Sequence, residues 1–277
     1  MAHLTTEKIL VTGASGFVGS NIVKTLKNYG HQVVGVSRSP HESTDVVRHI
    51  DGDTDWSDIL HGVGIVIHCA AKVHEMVSNE ASEAEYHSVN FRGTVNLAEQ
   101  AKHRVRRFIF LSTIKVNGEE TGTNRFFAND TPNPEGSYSL SKALAENGLK
   151  EIMQSSQMEV VIIRPPLIYG PNPQGNLQTL SKLIKARIPL PLIDFNARSL
   201  IYLGNLVEFT RLCIEHPGAA NEIFLVSDDE DLSTSDLAHR IGNALGVSII
   251  EIPIPMGALE FIFQLIGKKH YGARLFG

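Results

Sequence analysis

The chain has 277 residues, 42% of them hydrophobic, and a formal net charge of -5. That content supports a substantial core, and a mildly acidic chain without a basic run excludes nucleic acid as a partner, although backbone N–H groups can still hold an anionic small molecule. The two cysteines, Cys69 and Cys213, lie in apolar stretches and read as buried free thiols; they exclude a disulfide scaffold and suit a reducing, cytoplasmic setting.

Met1 to Thr6 does not read as a signal peptide, because the apolar run that follows is short and ends in glycines. Lys8 to Thr12 reads as a buried strand, followed by a glycine-rich turn and a helical pattern through Asn21–Lys27. Gln32 to Ser37 and Gly64 to Ala70 are further strands. Tyr86 to His103 is helical, Arg107–Ser112 a strand, Tyr138 to Met153 helical and Val160–Arg164 a strand. Apolar strands alternating with helices predict a doubly wound α/β fold, a parallel sheet covered on both faces. After Tyr169 the texture changes, with Pro171, Pro173, Gly175, Pro189 and Pro191 punctuating a loop-rich segment. The expected organisation is a dinucleotide-binding Rossmann domain over 1–170 and a smaller substrate lobe over 171–277, from which Glu222 to Ser227 is a candidate to rejoin the sheet. Ser233, Ser235 and Asp236 open a helix on which Leu237, Ile241 and Leu245 share a face. Ala258 to Ile266, broken by Glu260 and Gln264, is too short to span a bilayer and reads as a core helix; an interfacial helix ending in Lys268 and Lys269 is the alternative.

Strand one runs into Gly13-Ala14-Ser15-Gly16-Phe17-Val18-Gly19. A bare glycine pattern is weak, but here it follows a strand and opens a helix at once. A Cβ at Gly13 or Gly16 would obstruct the turn or a pyrophosphate, and Gly19 lets the helix pack near the sheet. The first turn of the helix, Phe17 and Val18, then offers N–H groups and positive dipole character to phosphates. At the end of strand two, where an Asp or Glu normally accepts hydrogen bonds from the ribose of NAD, the chain has Ser37 and Arg38. Arg38 is suited to a 2′-phosphate, or is an exposed arginine beside the adenine, so NAD and NADP both stay open. Asp53, assigned a place after the third strand region, is a candidate for the adenine edge or an ordinary turn carboxylate.

Tyr138-Ser139-Leu140-Ser141-Lys142 places Tyr138 and Lys142 on one helical face. A free tyrosine has a pKa near ~10. A neighbouring ammonium, together with a positive nicotinamide ring, is expected to pull it toward neutrality and give a tyrosinate base. Ser112 and Thr113 end the preceding strand on the edge that carries the glycine loop, where ligands bind in such sheets.

These motifs, with Ile67-His68-Cys69-Ala70-Ala71, Val89-Asn90-x-x-Gly93-Thr94-x-Asn96 and Arg164-Pro165-x-x-x-Tyr169-Gly170-Pro171, occur in an order that resembles the extended short-chain dehydrogenase/reductases. The resemblance is to the UDP-glucose 4-epimerase-like group of the NAD-dependent epimerase/dehydratase family and covers nearly the whole chain. It implies that Tyr138 is the general base on the sugar 4-hydroxyl, that Lys142 holds the nicotinamide ribose and tunes Tyr138, and that Thr113 hydrogen-bonds the sugar. It implies that Asn90 orders the site, that Ala70, Ala71, Ser112 and Pro165 lie against the cofactor, and that Asn176 and Arg198 hold the UDP part; a guanidinium suits a diphosphate. No metal is expected. A homodimer is the family habit, and surface polysaccharide synthesis its usual context.

Within that group, 4,6-dehydratases resemble this chain but carry Thr-Asp-Glu where it has Thr113-Ile114-Lys115. Neither Ile114 nor Lys115 replaces a carboxyl pair, which disfavours dehydration and leaves hydride transfer at C4. An NDP-sugar 4-epimerase is the expected activity, with a 4-keto-sugar reductase, favoured by Arg38, as its alternative. A reductase of a non-sugar carbonyl and a non-catalytic NAD(P) sensor are more distant; the retained Tyr138 and Lys142 speak against the sensor. Two departures from the pattern are Leu167, where relatives often have a substrate-contacting Asn, and the end at Arg274-Leu275-Phe276-Gly277, beyond which relatives continue, so the chain is expected to be a shortened form. Arg274 is a weak candidate for a late substrate contact.

Overall fold

The chain is described here from a computed structural model, over residues 7–73, 80–121, 124–173, 175–190 and 197–252. Met1–Thr6, the helix expected at Ala258 to Ile266, Lys268, Lys269 and Arg274 lie outside the described residues. Strand β1, Lys8–Thr12, leads into helix α1, Phe17–Asn28, and strand β2, Val33–Ser37. A two-residue strand, β3, Val46–Val47, and then β4, Val63–His68, follow. Helices α2, Glu80–Tyr86, and α3, Gly93–Ala101, flank a π-helical turn at His87–Arg92 and precede β5, Arg107–Leu111. Helix α4, Gly136–Ser155, and strand β6, Glu159–Arg164, complete the run of crossovers. The segment Tyr86 to His103 is therefore three pieces of helix rather than one, with Asn90 inside the wider turn.

The chain divides into two compact units, residues 1–166 with 203–226 and residues 167–202 with 227–277. The first holds a seven-stranded sheet in the order β3-β2-β1-β4-β5-β6-β9, where β9 is Ile223–Leu225. Every pairing in it is parallel. Helix α6, Leu203–Glu215, precedes β9 and packs on α1, and the expected strand at Glu222 to Ser227 is β9 itself. Ile9, Leu10, Val11, Ile65, Val66 and Ile67 are completely enclosed, which is why β1 and β4 read as unbroken apolar runs. Burial of such side chains stabilises by roughly 1.5–3 kcal/mol each relative to exposure. The strand order reverses at β1, between β2 and β4, and the crevice of a doubly wound sheet opens at the carboxyl ends flanking that reversal.

Arg107 opens β5, and its guanidinium is buried; Nη1 donates to the carbonyls of Cys213 (2.6 Å), Ile214 (3.1 Å) and His216 (3.0 Å). Cys213 and Ile214 are in the last turn of α6, whose carbonyls lack partners within the helix, so Arg107 ties the end of α6 to the sheet.

The second unit holds strands β7, Leu167–Tyr169, β8, Arg198–Tyr202, and β10, Asp231–Leu232, with β7 and β8 parallel and β10 antiparallel to β8. Helix α5, Gly175–Lys185, and helix α7, Thr234–Leu245, bury Leu180, Ile184, Leu190 and Ala238 together. The Ser233 cap is a capping box: its hydroxyl accepts from the Asp236 amide while Asp236 accepts from the Ser233 backbone. Leu237 and Ile241 pack on this core as expected, but Leu245 is 43% exposed. It lies at the end of α7, where Gly246 turns the chain with a left-handed φ of 67°. Among the described residues no helix is long and apolar enough to cross a membrane.

Candidate active site

Gly13 has φ of +70°, and a Cβ there would stand 2.7 Å from the Ala70 nitrogen at the end of β4. A Cβ on Gly19 would come within 2.2 Å of the Gly13 carbonyl oxygen. Backbone is the obstacle at both positions, so the loop folds only with glycine. At Gly16 the nearest atom, the same carbonyl, is 3.2 Å away, a tight contact that is less severe than those at Gly13 and Gly19. Gly16 caps α1 without a side chain, and the first turn at Phe17, Val18 and Gly19 carries no acidic residue. The N–H ends of that turn are thus left for an anion. Ala70 and Ala71 follow β4 on the same edge of the sheet. The cradle fits a dinucleotide pyrophosphate.

Thr113 follows β5, and its hydroxyl is hydrogen-bonded to Tyr138 on the first turn of α4. Tyr138 is half-buried; burial pushes its phenol up to about 12, with the Tyr86 phenol nearby adding to the rise and the Thr113 hydrogen bond opposing it. The two rings lie edge to face, 6.2 Å apart. One turn on, Lys142 is enclosed: its Nζ donates to the Leu111 carbonyl at 2.7 Å and sits 4.4 Å from the centre of the Phe110 ring. Burial lowers its pKa to about 8, opposed by Cys69 and Glu146. The expectation that Lys142 draws the phenol toward neutrality therefore needs correction. In the protein alone desolvation dominates at Tyr138, and the ammonium is engaged by a carbonyl and an aromatic face.

Glu146, a further turn along α4, closes a buried network. Ser112 Oγ donates to Glu146 Oε1 at 2.6 Å, and Arg164 forms a two-pronged pair with the same carboxylate at 3.0 and 2.5 Å. Arg164 Nη1 also donates to Asn117 Oδ1 at 2.9 Å. Glu146 and Arg164 are each 1% exposed. The network joins the end of β5, the middle of α4, the end of β6 and the 3-10 turn after Thr113. Next to it the Ile114 amide donates to the Pro165 carbonyl at 3.0 Å. Ser112, expected against the cofactor, thus directs its hydroxyl into the protein and donates its amide to the Ile163 carbonyl at 2.7 Å.

Asn90 is enclosed as well. Its Nδ2 donates to the Lys72 carbonyl and to Ser141 Oγ, both at 3.0 Å, and its Oδ1 accepts from the Lys72 amide at 2.7 Å. It clamps the chain leaving β4 to α4, positioning the site from beneath rather than reaching out of it. The Thr94 hydroxyl donates to the Asn90 carbonyl at 2.6 Å, so it accepts from His68 Nε2 at 2.9 Å. That leaves His68 Nδ1 to accept from the Thr12 hydroxyl at 2.7 Å. Burial, with Lys142 adding to it, lowers the His68 pKa to about 3 and keeps the ring neutral.

Other residues read from the sequence fall elsewhere. Asp53 is exposed in the turn between β3 and β4, ahead of β4 rather than behind it, and donates its amide to Asp51 Oδ1 at 3.0 Å. Arg38 is exposed, with its guanidinium 3.9 Å from Glu85. Cys213 is buried, but Cys69 is only half-buried; both thiols are pushed up, to about 11 and about 12, which leaves them unreactive. In the second unit Asn176 is exposed at the start of α5, and Arg198 opens β8 half-buried, with desolvation alone lowering its pKa. Among the described residues no group of three His, Cys, Asp or Glu side chains is disposed to hold a metal ion. The clamping roles of Asn90, Glu146 and Arg107 are not written in local spacing, since each depends on partners distant in the chain.

A doubly wound sheet with a glycine cradle at its switch point and a Tyr–Thr–Lys group beside it defines a dinucleotide-binding enzyme of the short-chain dehydrogenase/reductase type. The family model for the NAD-dependent epimerase/dehydratase family matches residues 9–227, and the chain belongs to that family. It is 41% identical over 281 residues to a UDP-glucose 4-epimerase of Vibrio cholerae, covering 98% of this chain and 86% of that one. It is 29% identical to an N-acetyl-α-D-glucosaminyl-diphospho-ditrans,octacis-undecaprenol 4-epimerase of Escherichia coli O157:H7, over 95% of this chain and 82% of that one. Among solved structures, the UDP-glucuronic acid 4-epimerase of Bacillus cereus in complex with UDP-glucuronic acid and NAD superposes with a TM-score of 0.78 at 25% identity, over 88% of this chain and 85% of that one.

Proposed function

We propose that this protein interconverts the C4 epimers of a nucleotide-diphosphate sugar of the UDP-glucose or UDP-N-acetylglucosamine kind, with NAD held in the Gly13–Gly19 cradle. The observation that carries the reading is the hydrogen-bonded Thr113–Tyr138 pair beside Lys142 at the carboxyl edge of the sheet, together with the relatives named above. NAD, when bound, supplies a hydride acceptor that returns what it takes, and a positive ring that favours the phenolate. Tyr138 Oη takes and returns the proton of the sugar 4-hydroxyl, and Thr113 orients that hydroxyl. Lys142 keeps a cation at the nicotinamide side and holds the ribose. Position 115 is a lysine ion-paired with Glu119 at 2.5 Å, so the acid and base of a dehydratase are not supplied at 114 and 115.

Asn176 and Arg198 are proposed to hold the nucleotide diphosphate. A half-buried guanidinium whose environment contributes only desolvation is matched to an incoming anion. Titration of the protein with UDP tests this: Arg198→Ala is expected to weaken UDP binding at least tenfold while the NAD recovered on denaturation is unchanged. Unchanged UDP affinity in that variant speaks instead for a reductase of a substrate without a diphosphate.

A further inference from the structure

The end of β2 lacks the carboxylate that recognises an adenosine ribose, and what replaces it is distributed over three elements. Ser37 is buried there, and its hydroxyl is committed locally: it donates to the Ser39 carbonyl at 2.5 Å and lies 2.8 Å from Thr44 Oγ1. The next residue, Arg38, projects into solvent with its side chain 67% exposed, and its guanidinium lies 3.9 Å from Glu85 Oε1 on α2. The other oxygen of Glu85 accepts from Lys72 Nζ at 2.7 Å, just beyond β4. Strand β1 runs between β2 and β4. An ion pair joining the residue after β2 to a helix that follows β4 therefore spans the carboxyl-end side of β1, the strand that leads into the Gly13–Gly19 loop. Glu85 is thus delivered to the ribose side of the crevice by a different crossover from the one that normally brings a carboxylate there.

We propose that Glu85 is a specificity-determining residue for the cofactor: by screening Arg38 and Lys72 it lets the site accept a ribose with a free 2′-hydroxyl and turns away a ribose 2′-phosphate. This rests on the dinucleotide reading above. A phosphate monoester carries about -1.5 to -2 charges at neutral pH, so its approach to the Glu85 carboxylate is repulsive. Without that carboxylate, a guanidinium and an ammonium face the same point, the arrangement that binds phosphate best. The Arg38–Glu85 contact is exposed, and such pairs add little to folding, so the conservative Glu85→Gln variant is expected to fold.

The test is titration with NADH and NADPH of the protein after any retained nucleotide has been removed, read by dinucleotide fluorescence, alongside identification of the nucleotide each untreated preparation releases on denaturation. The unmodified protein is expected to bind NADH at least tenfold more tightly. Glu85→Gln is expected to narrow that ratio fivefold or more, through tighter NADPH binding, and Arg38→Ala on top of it to reverse the gain. A ratio within twofold of the unmodified protein in Glu85→Gln, or an unmodified protein that already prefers NADPH, overturns the inference and leaves the dinucleotide reading standing. Binding of neither dinucleotide by the unmodified protein, with no nucleotide released from it on denaturation, overturns both.

Discussion

Burying the Lys142 ammonium against the Leu111 carbonyl and the Phe110 ring lowers its pKa to about 8, with desolvation as the main cause. A lysine whose folded pKa lies below its unfolded value costs stability at any pH under the folded value. The cost is relieved as pH rises from about 8 to the ordinary lysine value of 10.5. Lys142→Met is therefore expected to abolish activity yet raise stability at pH 7 by about 2 kcal/mol, since an apolar side chain of similar volume avoids the buried charge. The gain should shrink above pH 8; urea unfolding at pH 7 and pH 10 measures it, and a destabilised variant at pH 7 contradicts the assignment. His68 has the same sign in another window. Its folded pKa of about 3 lies below the ordinary histidine value of 6.5, so stability falls as pH drops through the interval between them. The expected loss is about 1.4 kcal/mol per pH unit. His68→Gln should flatten the slope of stability against pH by one proton between pH 6 and pH 4.5; an unchanged slope means His68 titrates normally. Tyr138 is the proposed general base, and loss of such a group typically lowers kcat by about 10²–10⁴. Tyr138→Phe is expected to fall in that range with NAD content unchanged, measured by turnover and by the nucleotide released on denaturation.

At the scale of elements, β5, α4 and β6 are joined by one buried ion pair, Glu146–Arg164, with Ser112 and Asn117 completing it. Removing one partner of such a pair strands a charge and costs about 3–5 kcal/mol. Glu146→Gln is expected to lose stability in that range, and Arg164→Met in the Glu146→Leu background to recover most of what either single change loses; strictly additive losses in urea unfolding contradict the coupling. The main elements of the first unit were legible because parallel strands buried on both faces are continuous apolar runs, as β1, β4 and β5 are. The capping box of α7 was legible because its chemistry lies within four residues. Strands β7 and β8 were not: they are short, and Leu167, Ile168, Tyr169, Arg198, Ser199 and Tyr202 are not buried. Helix α5 was hidden among prolines that flank it without interrupting it. The π-helical turn at His87–Arg92 escaped notice because every residue around it is compatible with an ordinary helix. Of the proposed site, Gly13, Thr113, Tyr138 and Lys142 are candidates that local spacing and strand-end position suggest. The Asn90 clamp and the Glu85 ion pairs could not be read that way, because each depends on partners brought together by separate crossovers.

At the scale of the molecule, membership of the epimerase/dehydratase family leaves two chemistries for the same Thr113, Tyr138 and Lys142: reversible oxidation at C4 with a retained cofactor, or one-way reduction with an exchangeable one. Arg38 pointed toward the second, but it is paired with Glu85, and the chain's relatives point toward the first. Incubation of the purified protein with UDP-glucose and with UDP-N-acetylglucosamine, without added cofactor and followed by NMR, separates the two. The account predicts that the galacto epimer of at least one sugar forms and that NAD is recovered from the denatured protein. No epimer from either sugar, with NADPH consumed when a 4-keto sugar is supplied, would contradict it.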